Sequence, residues 1–110
     1  MIDPKFVLPS IKKSKKELYN LAYIDALTNT YNRNMLEGLR KKIDAMELFV
    51  TIVDVDNLKL INDTKGHSEG DAIIKSVAKH LLCCCELVFR LGGDEFLVLN
   101  TIDTPPPYIS

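Results

Sequence analysis

The densest concentration of usable chemistry in the chain is the run Gly92-Gly93-Asp94-Glu95-Phe96, two residues without side chains followed by two adjacent carboxylates. Apolar stretches flank it at 87–91 and 96–99. Gly-Gly between strand-like segments marks a β-hairpin, because glycine reaches the positive φ values that tight turns use. Adjacent side chains on a regular strand point to opposite faces, so Asp94 and Glu95 converge on one ion only where the turn breaks that alternation. Carboxylates on a turn suit a hard cation, Mg2+ (or Mn2+), that takes oxygen ligands and keeps several waters for a phosphate substrate. The same five residues also make an ordinary solvated turn with two surface acids.

A second group of acids stands upstream. Asp54 lies near the end of an apolar, β-branched run, 48–55, that reads as a buried strand. Asp56 shares its face, because strand side chains repeat every two residues. Ligand sites gather beyond the carboxyl ends of strands, so a hairpin packed beside this strand brings Asp54 toward Asp94 and Glu95 as a three-carboxylate Mg2+ site. Two ions held about 3.5–4 Å apart activate an attacking hydroxyl and stabilise a leaving pyrophosphate. For Asp56 the preferred expectation is the N-cap of the segment that follows.

The elements that must position these acids are legible from periodicity. Residues 11–24 carry Leu18, Leu21 and Ala22 on one side of a lysine-rich helix. Lys12, Lys13, Lys15 and Lys16 form a solvated face or touch phosphates. A second helix runs from near Arg33 to Asp44, with Asn32 as N-cap and Met35, Leu36, Leu39 and Ile43 at helical spacing. After Asp56 come a short helical turn through Leu58 and Ile61 and a polar break at Thr64-Lys65-Gly66-His67. A longer helix then carries Ile73, Ile74, Val77, Ala78, Leu81 and Leu82 as one stripe. Ser68 and Asp71 stand at its start like a capping box. Three prolines, 105–107, exclude helix and central strand from the tail. The resulting β-α-β-β order predicts an α/β (α+β) fold, the first three strands of a ferredoxin-like sheet as used by palm-type nucleotidyl transferases.

Composition narrows the class. A chain of 110 residues that is 46% hydrophobic holds one small folded domain. A net charge of −1 argues against a nucleic-acid footprint, and no apolar run approaches membrane-spanning length. Met1-Ile2-Asp3-Pro4 lacks a secretory leader, so a cytoplasmic location is expected. Cys83, Cys84 and Cys85 are contiguous, which offers no disulfide framework and is expected to give buried, inert thiols.

Taken together, Asp54-Val-Asp56-Asn-Leu-Lys59-Leu-Ile-Asn62-Asp63-Thr-Lys-Gly66-His67-Ser-Glu-Gly70-Asp71 and Phe89-Arg90-Leu-Gly92-Gly93-Asp94-Glu95-Phe96 resemble the GGDEF family of diguanylate cyclases. Asp25-Ala-Leu27-Thr28-Asn29-Thr30-Tyr-Asn32-Arg33 resembles that family's opening motif D-x-L-T-G-L-x-N-R, with Asn29 and Thr30 in place of Gly and Leu. The resemblance covers roughly residues 18–100. It implies a palm-type nucleotidyl cyclase core and a division into a leader and helix (1–24), a partial GGDEF domain (25–104) and a Pro-rich tail (105–110).

The resemblance implies a function: two GTP molecules condense into cyclic di-GMP with release of pyrophosphate, across a homodimer. Asp54, Asp94 and Glu95 would be the catalytic and metal-binding carboxylates, with the Val55 carbonyl as a further metal ligand. Asn62 and Asp71 fall where the family hydrogen-bonds guanine; a carboxylate accepts from guanine N1–H and N2–H2, a donor pair that adenine lacks. Asp71 as a mere helix cap stays open. Gly92 and Gly93 would let the backbone approach the triphosphate, and Lys59 would neutralise it. Gly66 and His67 shape the loop.

Three departures qualify the match. Asn57 and Leu58 differ mildly from the family pattern. The R-x-x-D of the family's product-inhibition site falls on Cys83 and Glu86, so feedback inhibition there is not expected. The family also continues past the hairpin with a helix and further strands, so the core is expected to be shortened, with a sheet edge unpaired. The competing expectation is therefore a catalytically inactive relative that binds GTP or a protein partner as a regulatory module.

Overall fold

The computed structural model describes residues 14–107. The expectations for the leader, Lys12 and Lys13 included, and for Tyr108 to Ser110 lie outside those residues. Helix α1 (Lys15–Tyr23) begins at Ser14, whose Oγ accepts from the Glu17 N–H at 3.1 Å. Its Leu18 and Leu21 are exposed and none of its residues is buried, so the apolar side faces outward. Helix α2 (Arg33–Asp44) matches the expected limits; Asn32 caps it by accepting from the Met35 N–H at 3.1 Å.

Strand β1 (Leu48–Asp54), helices α3 (Leu58–Lys65) and α4 (His67–Cys84), and strands β2 (Leu87–Arg90) and β3 (Glu95–Thr101) complete the order. The sheet order is β1-β3-β2 with both pairings antiparallel. β1 and β2 are therefore parallel, with the hairpin's second strand inserted between them. This is the split β-α-β arrangement expected of a ferredoxin-like core.

Alternation along β3 divides the core into two layers. Phe96 and Val98 face α4, where they pack with Ile74, Ala78, Cys85 and Val88. Leu97 and Leu99 face α2 with Phe89, against Met35, Leu36, Leu39 and Ile43. Each of these aromatic or aliphatic side chains contributes roughly 1.5–3 kcal/mol when fully buried, and Phe89 and Phe96 are both completely covered. The central strand is thus anchored on both faces, and its first residue, Glu95, is held in place.

Several local expectations are corrected. β1 is not a fully buried strand: Val50 is 61% and Ile52 55% exposed. Among the described strands it pairs only with β3, so one edge and part of one face are uncovered. Ser68 does not cap α4. The helix starts a residue earlier, at His67, because Gly66 at φ 92° turns the chain directly out of α3, with no side-chain cap. Asp56 does not cap α3 either; that position belongs to Asn57 in the left-handed region at φ 61°. The thiols are not all buried, since Cys83 and Cys84 are exposed and only Cys85 lies in the core. In the tail, Pro106 is fully buried.

Candidate functional site

Register alone brings two of the expected acids together. Asp54, the last residue of β1, lies directly opposite Glu95, the first of β3. Both side chains stand on the α2 side of the sheet, in line with Ile52 and Leu97. The ladder continues one step further, because the Val55 N–H donates to the Asp94 carbonyl at 2.8 Å. Asp54, Val55, Asp94 and Glu95 are therefore neighbours at one end of the sheet. Asp54 and Asp94 are exposed and Glu95 is half-buried.

Asp94 and Glu95 do not converge through a glycine distortion. Among the described glycines only Gly66 has a positive φ, and a side chain at Gly92 or Gly93 would meet nothing within 4 Å. Those two residues leave open space above the turn. Among the described residues no three His, Cys, Asp or Glu side chains are gathered to hold a metal ion. The structure thus pairs Asp54 with Glu95 and leaves Asp94 on the turn beside them. Two carboxylates are a hard-oxygen donor set that fits Mg2+, which is commonly held by one or two carboxylates with substrate phosphates and waters in its other positions.

The turn itself is held from behind by two arginines that sequence reasoning had not assigned a role. Arg33, at the start of α2, donates to the Leu91 carbonyl from Nη2 at 3.0 Å and Nε at 3.3 Å. Arg90 donates to the Gly92 carbonyl from Nε at 3.2 Å and to the Gly93 carbonyl from Nη2 at 2.9 Å. In a planar trans peptide the N–H points opposite the carbonyl. With the Gly92 and Gly93 carbonyls both drawn toward the Arg90 guanidinium, the N–H groups of Gly93 and Asp94 point away from it, and that of Gly92 points away from Arg33. Consecutive outward N–H groups on an open turn attract anions.

Arg90 is in turn oriented by Asp25. Its Nη1 forms an ion pair with Asp25 Oδ2 at 3.1 Å. Asp25 also accepts from the Thr28 N–H at 3.0 Å and the Thr28 hydroxyl at 2.7 Å. Burial by itself pushes the Asp25 carboxyl up, but the Thr28 and Arg90 hydrogen bonds together outweigh it and hold the group below its ordinary value. The loop reverses through Asn29 at φ 61°. That left-handed position explains why Asn can stand where the family motif has Gly. Tyr31 then lies along β2, donating to the Val88 carbonyl at 3.0 Å and accepting from the Arg90 N–H at 2.8 Å.

The expected base-contacting residues form a separate group. Asn62 of α3 packs against α4 at Gly70, where an added Cβ would fall 1.8 Å from Asn62 Oδ1. That oxygen is buried with no hydrogen-bond partner among the described residues. Asp71 is exposed on α4 immediately after Gly70, and Lys59 is exposed on α3. No hydrogen bond or ion pair among the described residues joins Asn62, Asp71 or Lys59 to the strand-end acids. Gly70 escaped the sequence reading; its signal was a glycine inside a helical stripe, which asks for a close-packing reason.

With this geometry in place, the comparison with known sequences is decisive. The sequence model of the family described as "Diguanylate cyclase, GGDEF domain" matches residues 22–105. The chain belongs to the GGDEF family. It is 36% identical over 95 residues to the cyclic di-GMP phosphodiesterase PdeR of Escherichia coli K12, covering 80% of this chain and 14% of that protein. It is 33% identical over 97 residues to the diguanylate cyclase DgcM of the same organism, covering 80% of this chain and 24% of that protein. Among solved structures it resembles the GGDEF domain of DgcB from Caulobacter crescentus, crystallised with c-di-GMP, at a TM-score of 0.63 and 33% identity over 72% of this chain and 52% of that one. The chain thus spans about a quarter or less of the curated relatives it matches. No described helix is long and apolar enough to cross a membrane.

Proposed function

We propose that this chain is the nucleotide-handling part of a diguanylate cyclase, acting on GTP to form cyclic di-GMP and pyrophosphate. The observation that carries the reading is the Asp54–Glu95 pair beside a turn whose carbonyls are pinned from behind. Asp54 and Glu95 would hold Mg2+, with Asp94 and the Val55 carbonyl as the nearest further donors. The bound ion supplies charge neutralisation on the phosphates.

The remaining groups bind and orient. The outward N–H groups of Gly92, Gly93 and Asp94 face a triphosphate, and Lys59 adds a positive charge. Asn62 Oδ1, an acceptor without a partner, suits a guanine amino donor, and Asp71 suits the N1–H and N2–H2 pair. Each 3′-hydroxyl attacks the α-phosphate of the other GTP and displaces pyrophosphate. Two GTP molecules must therefore meet face to face, which a homodimer accomplishes. Positioning and electrostatics supply most of the acceleration in phosphoryl transfer, so the pinned turn is central.

A second reading is supported by the incomplete gathering of carboxylates: a non-catalytic module that binds GTP or a partner protein. Incubation of the purified protein with GTP and Mg2+, followed by chromatography for cyclic di-GMP and pyrophosphate, separates the two. Product that disappears in Glu95→Gln supports the cyclase. Retained GTP binding with no product at high protein concentration supports the module.

A further inference from the structure

The end of α4 places two thiols where one atom can bridge them. Within a helix, neighbouring side chains diverge, so Cys83 and Cys84 do not face each other. The helix stops at Cys84 and Cys85 leaves in an extended conformation, φ −137° and ψ 140°. That change of direction brings Cys85 Sγ to 3.8 Å from Cys84 Sγ. Cys84 is exposed and Cys85 is buried in the core layer with Val88 and Phe96. Burial first, and the adjoining Cys84 second, push the Cys85 thiol above its ordinary value, against an opposing contact from Asn100.

Beside this pair is a surface cavity of about 320 Å³, lined by Cys84, Glu86, Leu99, Asn100, Thr101 and Thr104. Asn100 Oδ1 is buried with no hydrogen-bond partner among the described residues. A direct disulfide fits poorly, since neighbouring Cα atoms are about 3.8 Å apart across a trans peptide and disulfides usually span about 4.4–6.8 Å. A single inserted atom fits better: two sulfurs each about 2.3 Å from one centre lie about 3.8 Å apart at the tetrahedral angle and roughly 3.4 Å apart at the narrower angle of a pyramidal centre, so a small rotation of the exposed Cys84 side chain closes the gap. A zinc-type ion needs three or four protein donors, and no third such side chain is gathered among the described residues.

We infer that Cys84 and Cys85 form a dithiol capture site for a trivalent arsenical, a thiophilic centre that is satisfied by two thiols and one substituent, with the substituent lying in the adjoining cavity. The reaction with an arsine oxide is a condensation without redox change. Two S–H bonds and the arsenic–oxygen bond break, two arsenic–sulfur bonds form, and both protons leave with the oxygen as water.

The test uses the full chain and phenylarsine oxide, read by intact mass and by titration of free thiols. Wild type and Cys83→Ser are expected to take up one phenylarsine and lose two titratable thiols. Cys84→Ser is expected to lose that uptake, and excess dithiol, but not excess monothiol, is expected to release the adduct from wild type. Equal uptake by Cys84→Ser, or loss of uptake in Cys83→Ser, overturns the assignment. Both variants change exposed residues, and thermal melting identifies either one that fails to fold; Cys84→Ala is the replacement in that event, with the same expected loss.

Discussion

Arg90 Nη1 lies 3.1 Å from Asp25 Oδ2 and joins residues 65 positions apart. Both side chains are largely covered, at 17% and 23% exposure, so removing one partner costs more than breaking a surface ion pair. Its remaining guanidinium nitrogens hold the Gly92 and Gly93 carbonyls. One side chain therefore couples the opening loop to the turn that carries Asp94 and Glu95.

Arg90→Ala is expected to lower the unfolding free energy by about 1–3 kcal/mol, because it leaves a partly buried carboxylate without its cation, held by Thr28 alone, and takes the donor from two carbonyls. Arg90→Lys keeps the charge but lacks the planar fork that reaches both carbonyls. Urea unfolding of Arg90→Ala, Asp25→Asn and the double variant should give a coupling of about 1–2 kcal/mol. Additive effects would show that the two residues act independently.

The ion pair also sets a pH dependence. The folded state holds the Asp25 carboxyl below its ordinary value, so at acid pH the unfolded chain binds more protons than the folded one. Stability from this group is fully present above the ordinary carboxylate value of about 3.9 and is lost as the pH falls through the depressed value. The stability gap between wild type and Asp25→Asn, measured by urea midpoints from neutral pH downward, should hold steady and then close in the acid range. A gap that widened there would contradict the assignment.

Gly70→Ala separates packing from binding. The added Cβ collides with Asn62 Oδ1, the far end of a side chain that can rotate, while alanine favours the helix by about 1 kcal/mol. Stability should change by less than about 1 kcal/mol, and GTP affinity should fall about tenfold if Asn62 is displaced from the base, a loss of about 1.4 kcal/mol. Titration calorimetry with GTP and Mg2+ is the measurement; unchanged affinity would remove Asn62 from the base-recognition role.

Asn32→Ala is expected to cost about 1 kcal/mol, since it removes the α2 cap and the hydrogen bond from Asn32 Nδ2 to the Ala22 carbonyl. Because α2 also carries Arg33, the loss should be visible in both thermal melting and GTP turnover. Asn32→Asp retains the cap but has no donor for the Ala22 carbonyl, and should recover only part of the stability.

Much of this was readable in advance where it was local. The α2 limits, the hairpin and the apolar stripe of α4 follow from periodicity and capping within a few residues. The burial of β1 depends on what packs against it in space, whereas the starts of α3 and α4 depend on the backbone conformation of single residues. Val50 and Ile52 have strand-core chemistry whether or not another element covers them. Asp56 and Ser68 have capping chemistry, but left-handed Asn57 and Gly66, at a positive φ, set the helix starts instead.

The sequence by itself determined which groups are available: the acids at 54, 94 and 95, the glycine turn between apolar runs, and motif spacing sufficient to place the chain in its family. Tertiary structure alone decided which of them meet. Antiparallel register sets Asp54 against Glu95, Asp25 reaches Arg90 and Arg33 reaches the Leu91 carbonyl from far upstream, and Gly70 receives Asn62. The physical reason is that side-chain type and local period are carried by neighbouring residues along the chain, whereas register, orphaned acceptors and ion pairs across 65 positions come into existence only when separate elements pack.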